Sequence, residues 1–102
     1  MHYIIENNLV ELKEICRSFN VKRLYVFGSL GNDTFDLSKS DVDLIVELEE
    51  KDPVKKGEIL MILWDKFEDL FGRNVDLLSN PNVRNPYLQQ GIDATKKIIY
   101  EA

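Results

Sequence analysis

Apolar positions fall into two spacings along the chain, and the alternation between them predicts its elements. Ile5, Leu9, Leu12, Cys16 and Phe19 recur every three or four residues, which predicts an amphipathic helix over residues 3–18. Asn8 and Glu11 have capping-box spacing, so this helix starts, or restarts, at Leu9. Asn20 is a helix stop. After Lys22-Arg23 comes a continuous apolar run, residues 22–28, whose length suits a strand buried on both faces. Residues 41–48 predict a second strand. Asp52-Pro53 marks a helix start, Asp as N-cap and Pro in the first turn, and Gly72 marks its end. Leu60, Leu63, Trp64, Phe67, Leu70 and Phe71 make one stripe on this helix, widened by Ile59 and Ile62. Such width fits a helix wedged between a sheet and another helix, or one that also meets a partner. Residues 74–79 predict a third short strand. A last helix is predicted over residues 86–100, with Leu88, Ile92, Thr95 and Ile99 on one side. The order is αββαβα, an α/β (α+β) chain with one small sheet.

The polar residues that interrupt this pattern carry the candidate chemistry. The first strand run ends at Gly28-Ser29, and eleven loop residues, Leu30 to Ser40, lead to Asp41 and Asp43. Residues i and i+2 of a strand share a face, so the two carboxylates stand together while Val42, Leu44 and Val46 face the other way. Adjacent carboxylates repel and resist desolvation unless a cation joins them. A hard cation such as Mg²⁺ takes oxygen ligands and is held by one or two carboxylates with substrate phosphates. Gly28 permits close backbone approach, and Ser29 offers a hydroxyl and an N–H to a phosphate.

Asp76 follows Asp43 by 33 residues, with one helix between them. If that helix returns the chain alongside the second strand, three carboxylates converge, as in two-metal phosphoryl or nucleotidyl transfer. Singly, Asp41 reads equally as a loop-end cap, Asp43 as an edge-strand charge and Asp76 as a turn residue. Jointly, and preceded by Gly28-Ser29, they read as a site. An EF-hand register (Asp36, Ser38, Ser40, Glu47) fails, because Asp41 stands where that loop needs Gly and the flanks are strand-like.

Composition narrows the partners. The 102 residues fit one domain, 1–102, and the net charge is −5. That argues against direct nucleic-acid binding, which needs a basic face. A lone Cys16 excludes an internal disulfide or a thiolate metal cluster. No apolar run reaches the roughly 18 residues of a membrane span, and the first residues lack a signal-peptide pattern, so a soluble cytoplasmic protein is expected.

Gly28-Ser29, then Ser40-Asp41-Val-Asp43-Leu-Ile-Val, then Val75-Asp76-Leu resemble the signature of the DNA polymerase β nucleotidyltransferase superfamily. The small size and Asn85-Pro86-Tyr87 before the last helix resemble its minimal nucleotidyltransferase (MNT) members. The resemblance covers nearly the whole chain from about Leu9. It implies a small mixed sheet with a polymerase β palm-like fold, and transfer of a nucleoside monophosphate from a triphosphate, with AMP from ATP the expected case. It further implies that Asp41, Asp43 and Asp76 ligate two Mg²⁺ ions, that Asp76 helps deprotonate the attacking hydroxyl, and that Gly28 and Ser29 hold the triphosphate. Many minimal members are antitoxins of HEPN ribonuclease toxins, so the implied acceptor is a protein or a small molecule. The implied partner is a HEPN-type toxin, met through helix 53–71, and self-association is left open. One departure stands out: where family members carry Ala-Arg-Gly after Gly-Ser, this chain has Leu30-Gly31-Asn32-Asp33. A fixed positive charge for phosphate is lost there, with Lys22 and Lys39 as candidate replacements. The loop to Asp41 is also one residue longer. The other reading is a nucleotidyltransferase-fold module that neutralises a partner by occlusion.

Overall fold

The computed structural model describes residues 3–28, 41–79 and 86–102. Two helices open the chain, α1 (Tyr3–Glu6) and α2 (Leu9–Ser18). The break falls at Asn8, but no capping box forms. The Asn8 side chain makes no cap hydrogen bond to α2; its Nδ2 donates back to the Ile4 carbonyl at 2.7 Å, closing α1 instead. Asn20, at φ 55°, turns the chain out of α2 in the left-handed region that Asn tolerates.

The strands β1 (Val21–Val26), β2 (Val42–Leu48), β3 (Val75–Leu78) and β4 (Lys97–Glu101) form one sheet in the order β3-β2-β1-β4. β1 pairs antiparallel with both β2 and β4, whereas β2 and β3 are parallel, so the sheet is mixed. Parallel neighbours need a crossover, and α3 (Pro53–Phe71) supplies it. The start and stop signals of α3 act as the residues dictate. Asp52 Oδ1 accepts the Val54 N–H at 3.0 Å, and Gly72, at φ 65°, donates its N–H to the Glu68 carbonyl at 2.8 Å. Glu68 Oε2 then accepts the Val75 N–H at 3.0 Å and ties the end of the helix to the start of β3.

One sheet face carries Val42, Leu44 and Val46 of β2 and Leu24 and Val26 of β1 into the main core, against Leu12, Cys16, Leu63, Phe67 and Phe71. β1 is not buried on both faces: Lys22 is exposed, and Arg23 and Tyr25 are half-buried. A register shift between Val21 and Arg23 lets Val21 and Leu24, three apart, both reach the core. On the other face, Phe27 and Ile45 are covered by Ile92 of α4 (Pro86–Thr95).

Two further expectations are overturned. The last helix does not run to residue 100: it ends at Thr95, and Lys97–Glu101 becomes β4, giving the order ααββαβαβ instead of αββαβα. Ile98, Ile99 and Tyr100 are β-branched or aromatic and suit a pleated surface. Ile99 matched the helical spacing only because a short apolar run fits either period. β4 is held by β1 and by Arg23, which reaches Glu47 at 2.9 Å and Glu101 at 2.8 Å. The second correction concerns α3. Leu63, Phe67 and Phe71 are buried, and Ile59, Leu60 and Leu70 pack at the core's edge. Trp64 instead turns outward with Met61 and Ile62. Among the described residues, no helix is long and apolar enough to cross a membrane.

Candidate active site

The topology brings three strand ends to one rim of the sheet. β1 ends at Val26, just before Gly28, while β2 and β3 begin there with Asp43 and Asp76 near their starts. Asp43 and Asp76 are direct partners in the parallel register. Neighbouring strands lie about 4.8 Å apart and register partners share a face, so the two carboxylates are adjacent. Val42, Leu44 and Val46 fill the core behind them, as the alternation required.

Asp43 is half-buried, and its carboxyl is pushed up to about 6. Burial is the largest cause; the charge of Asp76, a side-chain hydrogen bond with Asp76 and the charge of Asp41 follow. All four act in one direction, since each disfavours an ionised Asp43. Asp41 stands exposed just ahead of β2. Among the described residues, no three His, Cys, Asp or Glu side chains are gathered tightly enough to hold a metal ion by themselves. The structure thus assembles Asp43 with Asp76 and leaves Asp41 at the solvent rim, near enough for its charge to be felt. Ser29, and Lys39 in the same loop, lie outside the described residues.

Gly28 closes the rim from the β1 side. Its φ is 64°, and a Cβ built there would lie 2.5 Å from Asp43 Oδ2. The close approach that glycine permits is therefore made to the Asp43 carboxylate. The Phe27 N–H donates to the Asp43 carbonyl at 3.1 Å. The Gly28 N–H donates to Thr95 Oγ1 at 2.9 Å, and the Thr95 hydroxyl donates to the Gly91 carbonyl at 2.7 Å. Thr95 was placed by the sequence only on the apolar side of the last helix. Nothing in its spacing to Gly28, 67 residues away, pointed to this contact.

Lys22 is not at this rim. It stands exposed near the start of β1, with Gly28 beyond the other end. The four strand steps from Lys22 to Val26 alone span about 13 Å. Lys96 is nearer in the chain to the rim, directly after Thr95, and its Nζ lies 5.0 Å from the centroid of the Tyr25 ring.

The sequence pattern of the polymerase beta nucleotidyltransferase family matches residues 10–102. The chain belongs to that family. Its members are enzymes that transfer nucleotidyl groups, and the mixed sheet with paired rim aspartates is set on their fold. Two relatives from Methanocaldococcus jannaschii are described as candidate protein adenylyltransferases. One is 30% identical over 93 residues, covering 83% of this chain and 91% of the relative. The other is 34% identical over 92 residues, covering 81% and 89%. Among solved structures, a candidate minimal nucleotidyltransferase superposes with a TM-score of 0.62 at 23% identity, covering 91% of this chain and 90% of that one. A tri-AMPylated HEPN toxin in complex with its MNT antitoxin, from Shewanella oneidensis, superposes with a TM-score of 0.62 at 18% identity, covering 95% and 72%. At these identities the structural likeness bears on fold.

Proposed function

We propose that this nucleotidyltransferase transfers AMP from ATP, with Mg²⁺, to a hydroxyl on a protein partner, and that the partner is a HEPN-type toxin. The observation that carries the reading is the Asp43–Asp76 pair, register-matched on adjacent strands and pressed by a side-chain-free Gly28. Adjacent carboxylates repel, and a cation between them relieves that repulsion. Its donor set is hard carboxylate oxygen, which fits Mg²⁺. Two carboxylates are enough where triphosphate oxygens and water supply the other ligands. Bound there, Mg²⁺ would neutralise charge on the triphosphate and on the departing pyrophosphate.

The chain's residues take distinct roles. Asp43 and Asp76 form the inner pair, and Asp41 reaches in from the rim. The acceptor oxygen bonds to the α-phosphorus, the bond from that phosphorus to the bridging oxygen of pyrophosphate breaks, and pyrophosphate leaves with the electron pair. Asp76, exposed beside Asp43, takes the hydroxyl proton. Gly28 and Ser29 are the residues that would hold the triphosphate. The relatives' description as protein adenylyltransferases and a toxin–antitoxin complex among the structural neighbours support the choice of donor and partner.

Occlusion without chemistry is favoured by one observation, the outward Met61, Ile62 and Trp64 on α3. One experiment separates the two. The protein is incubated with radiolabelled ATP, Mg²⁺ and the product of the adjacent gene, and label on that product is measured. Label that disappears in Asp41→Asn/Asp43→Asn supports transfer. No label, with suppression of the partner by wild type and double mutant alike, establishes occlusion.

A further inference from the structure

We infer that Thr95 is a positioning residue: its hydroxyl fixes the Gly28 turn against Asp43, and through that turn sets where the nucleotide's phosphates can lie. The part concerning the nucleotide rests on the transfer reading above. Gly28 belongs to no strand or helix, so its N–H has no ladder partner to satisfy it. Thr95 Oγ1 accepts that N–H at 2.9 Å, and the Thr95 hydroxyl proton goes to the Gly91 carbonyl at 2.7 Å. The oxygen is thereby held by both its neighbours. A hydroxyl on the last turn of α4 is chained to the backbone that crowds the Asp43 carboxylate.

The consequence is directional. Glycine adopts φ 64° without steric cost, so the turn is held by its bond, and the Gly28 N–H is committed inward to Thr95 Oγ1. The Gly28 N–H is therefore not a phosphate ligand, and glycine's contribution is space. The Thr95 link thereby sets where the backbone stands at residue 28, against the Asp43 carboxylate. A loose turn would leave Asp43 and Asp76 in place while spoiling the alignment of donor phosphates, where misplacement near 1 Å is costly. The change should appear in nucleotide binding before it appears in folding.

The test compares wild type, Thr95→Val and Thr95→Ser in the full chain. Valine keeps the β-branched shape and loses the acceptor, whereas serine keeps the hydroxyl. Three quantities are read: amide hydrogen exchange at Gly28, KM for ATP against kcat in the labelling reaction, and melting temperature. Thr95→Val should exchange Gly28 faster and raise KM for ATP about fivefold, with a smaller loss in kcat, as one hydrogen bond to a part-buried amide allows. Its melting temperature should stay within a few degrees. Thr95→Ser should restore protection and KM to within about twofold. Equal Gly28 exchange in all three proteins overturns the link. So does an active wild type whose KM and kcat are matched by Thr95→Val. If wild type transfers no label, yet Gly28 protection is lost in Thr95→Val and kept in Thr95→Ser, the positioning link stands and the transfer reading falls.

Discussion

Gly28 and Asp43 meet with no space for a side chain between them: a Cβ on residue 28 would come within 2.5 Å of Asp43 Oδ2. Two penalties then fall on Gly28→Ala, a left-handed φ of 64° that L side chains resist and a clash that forces the Asp43 carboxylate to shift. The variant should melt roughly 5–15 °C lower, on the scale of 1–2 kcal/mol for a domain this small, and should lose labelling activity. Gly57→Ala is the matched control. Gly57 lies in α3 with nothing within 4 Å of its built Cβ, so alanine there should stabilise by about 0.5–1 kcal/mol. Thermal melts of both variants check the pair. A Gly28→Ala protein as stable and active as wild type would show that the contact is not made.

Asp43 should leave a pH signature in the metal-free protein. Its folded-state carboxyl titrates at about 6 against an ordinary 3.8, so it is raised on folding. A raised carboxyl makes the folded state hold its proton longer than the unfolded chain does. Its contribution to stability is then full below pH 4 and is lost as pH rises through about 6. The loss should be on the order of 1–2 kcal/mol after solvent screening of a half-buried group. Stability measured by urea unfolding at pH 4.5 and 7.5 should fall across that window, and Asp43→Asn should flatten the fall. Mg²⁺ competes with the same proton, so its stabilising effect should be larger at pH 7.5 than at pH 5. An identical pH slope in Asp43→Asn would remove Asp43 as the source.

What the sequence made legible was local, and what it hid was not. Asp52, Pro53 and Gly72 delimited α3 because caps act on their own backbone within a few residues. Asp43 and Asp76 could be put on one rim because a strand–helix–strand unit of this length returns parallel to itself, and the register then paired them. β4 was hidden because Ile98-Ile99-Tyr100 is short enough to satisfy two periods, and pairing with β1 decided between them. Trp64 looked like core because a wide stripe does not say how much of it the sheet can cover. Thr95 was invisible as a site residue, since its bond to Gly28 spans 67 positions and requires both the sheet order and the end of α4 to be known.

Cys16 should be chemically silent in the folded protein. It is fully buried in the main core, and burial pushes its thiol up to about 12. The thiolate is the reactive form, so at pH 8 both access and ionisation oppose modification. A thiol reagent in excess should modify Cys16 only at the rate of global unfolding, and should react within seconds to minutes once urea has unfolded the chain. Reaction in native buffer as fast as in urea would mean that α2 opens locally away from β1 and α3.

α3 offers a clean division between stability and partner binding, one residue apart. Leu63 is fully buried, and Ile62, beside it, is 44% exposed with Met61 at 74%. Met61, Ile62, Trp64 and Asp65 line an open groove of about 430 Å³ on the outer side of the helix. Leu63→Ala should therefore cost about 2–5 kcal/mol through its cavity, whereas Ile62→Glu should stay within about 0.5 kcal/mol, as surface changes do. Ile59 is unsuitable as a surface probe, because it packs half-buried against the core and Ile59→Glu would strand a charge there. If this face meets the partner, Ile62→Glu and Met61→Glu should abolish co-purification with the adjacent gene's product while ATP binding and melting temperature stay unchanged. The aspartate double mutant should show the reverse, with its partner retained and its labelling lost. Retention of the partner by both charge variants would move the interface elsewhere on the protein, and the outward Trp64 would then need another explanation.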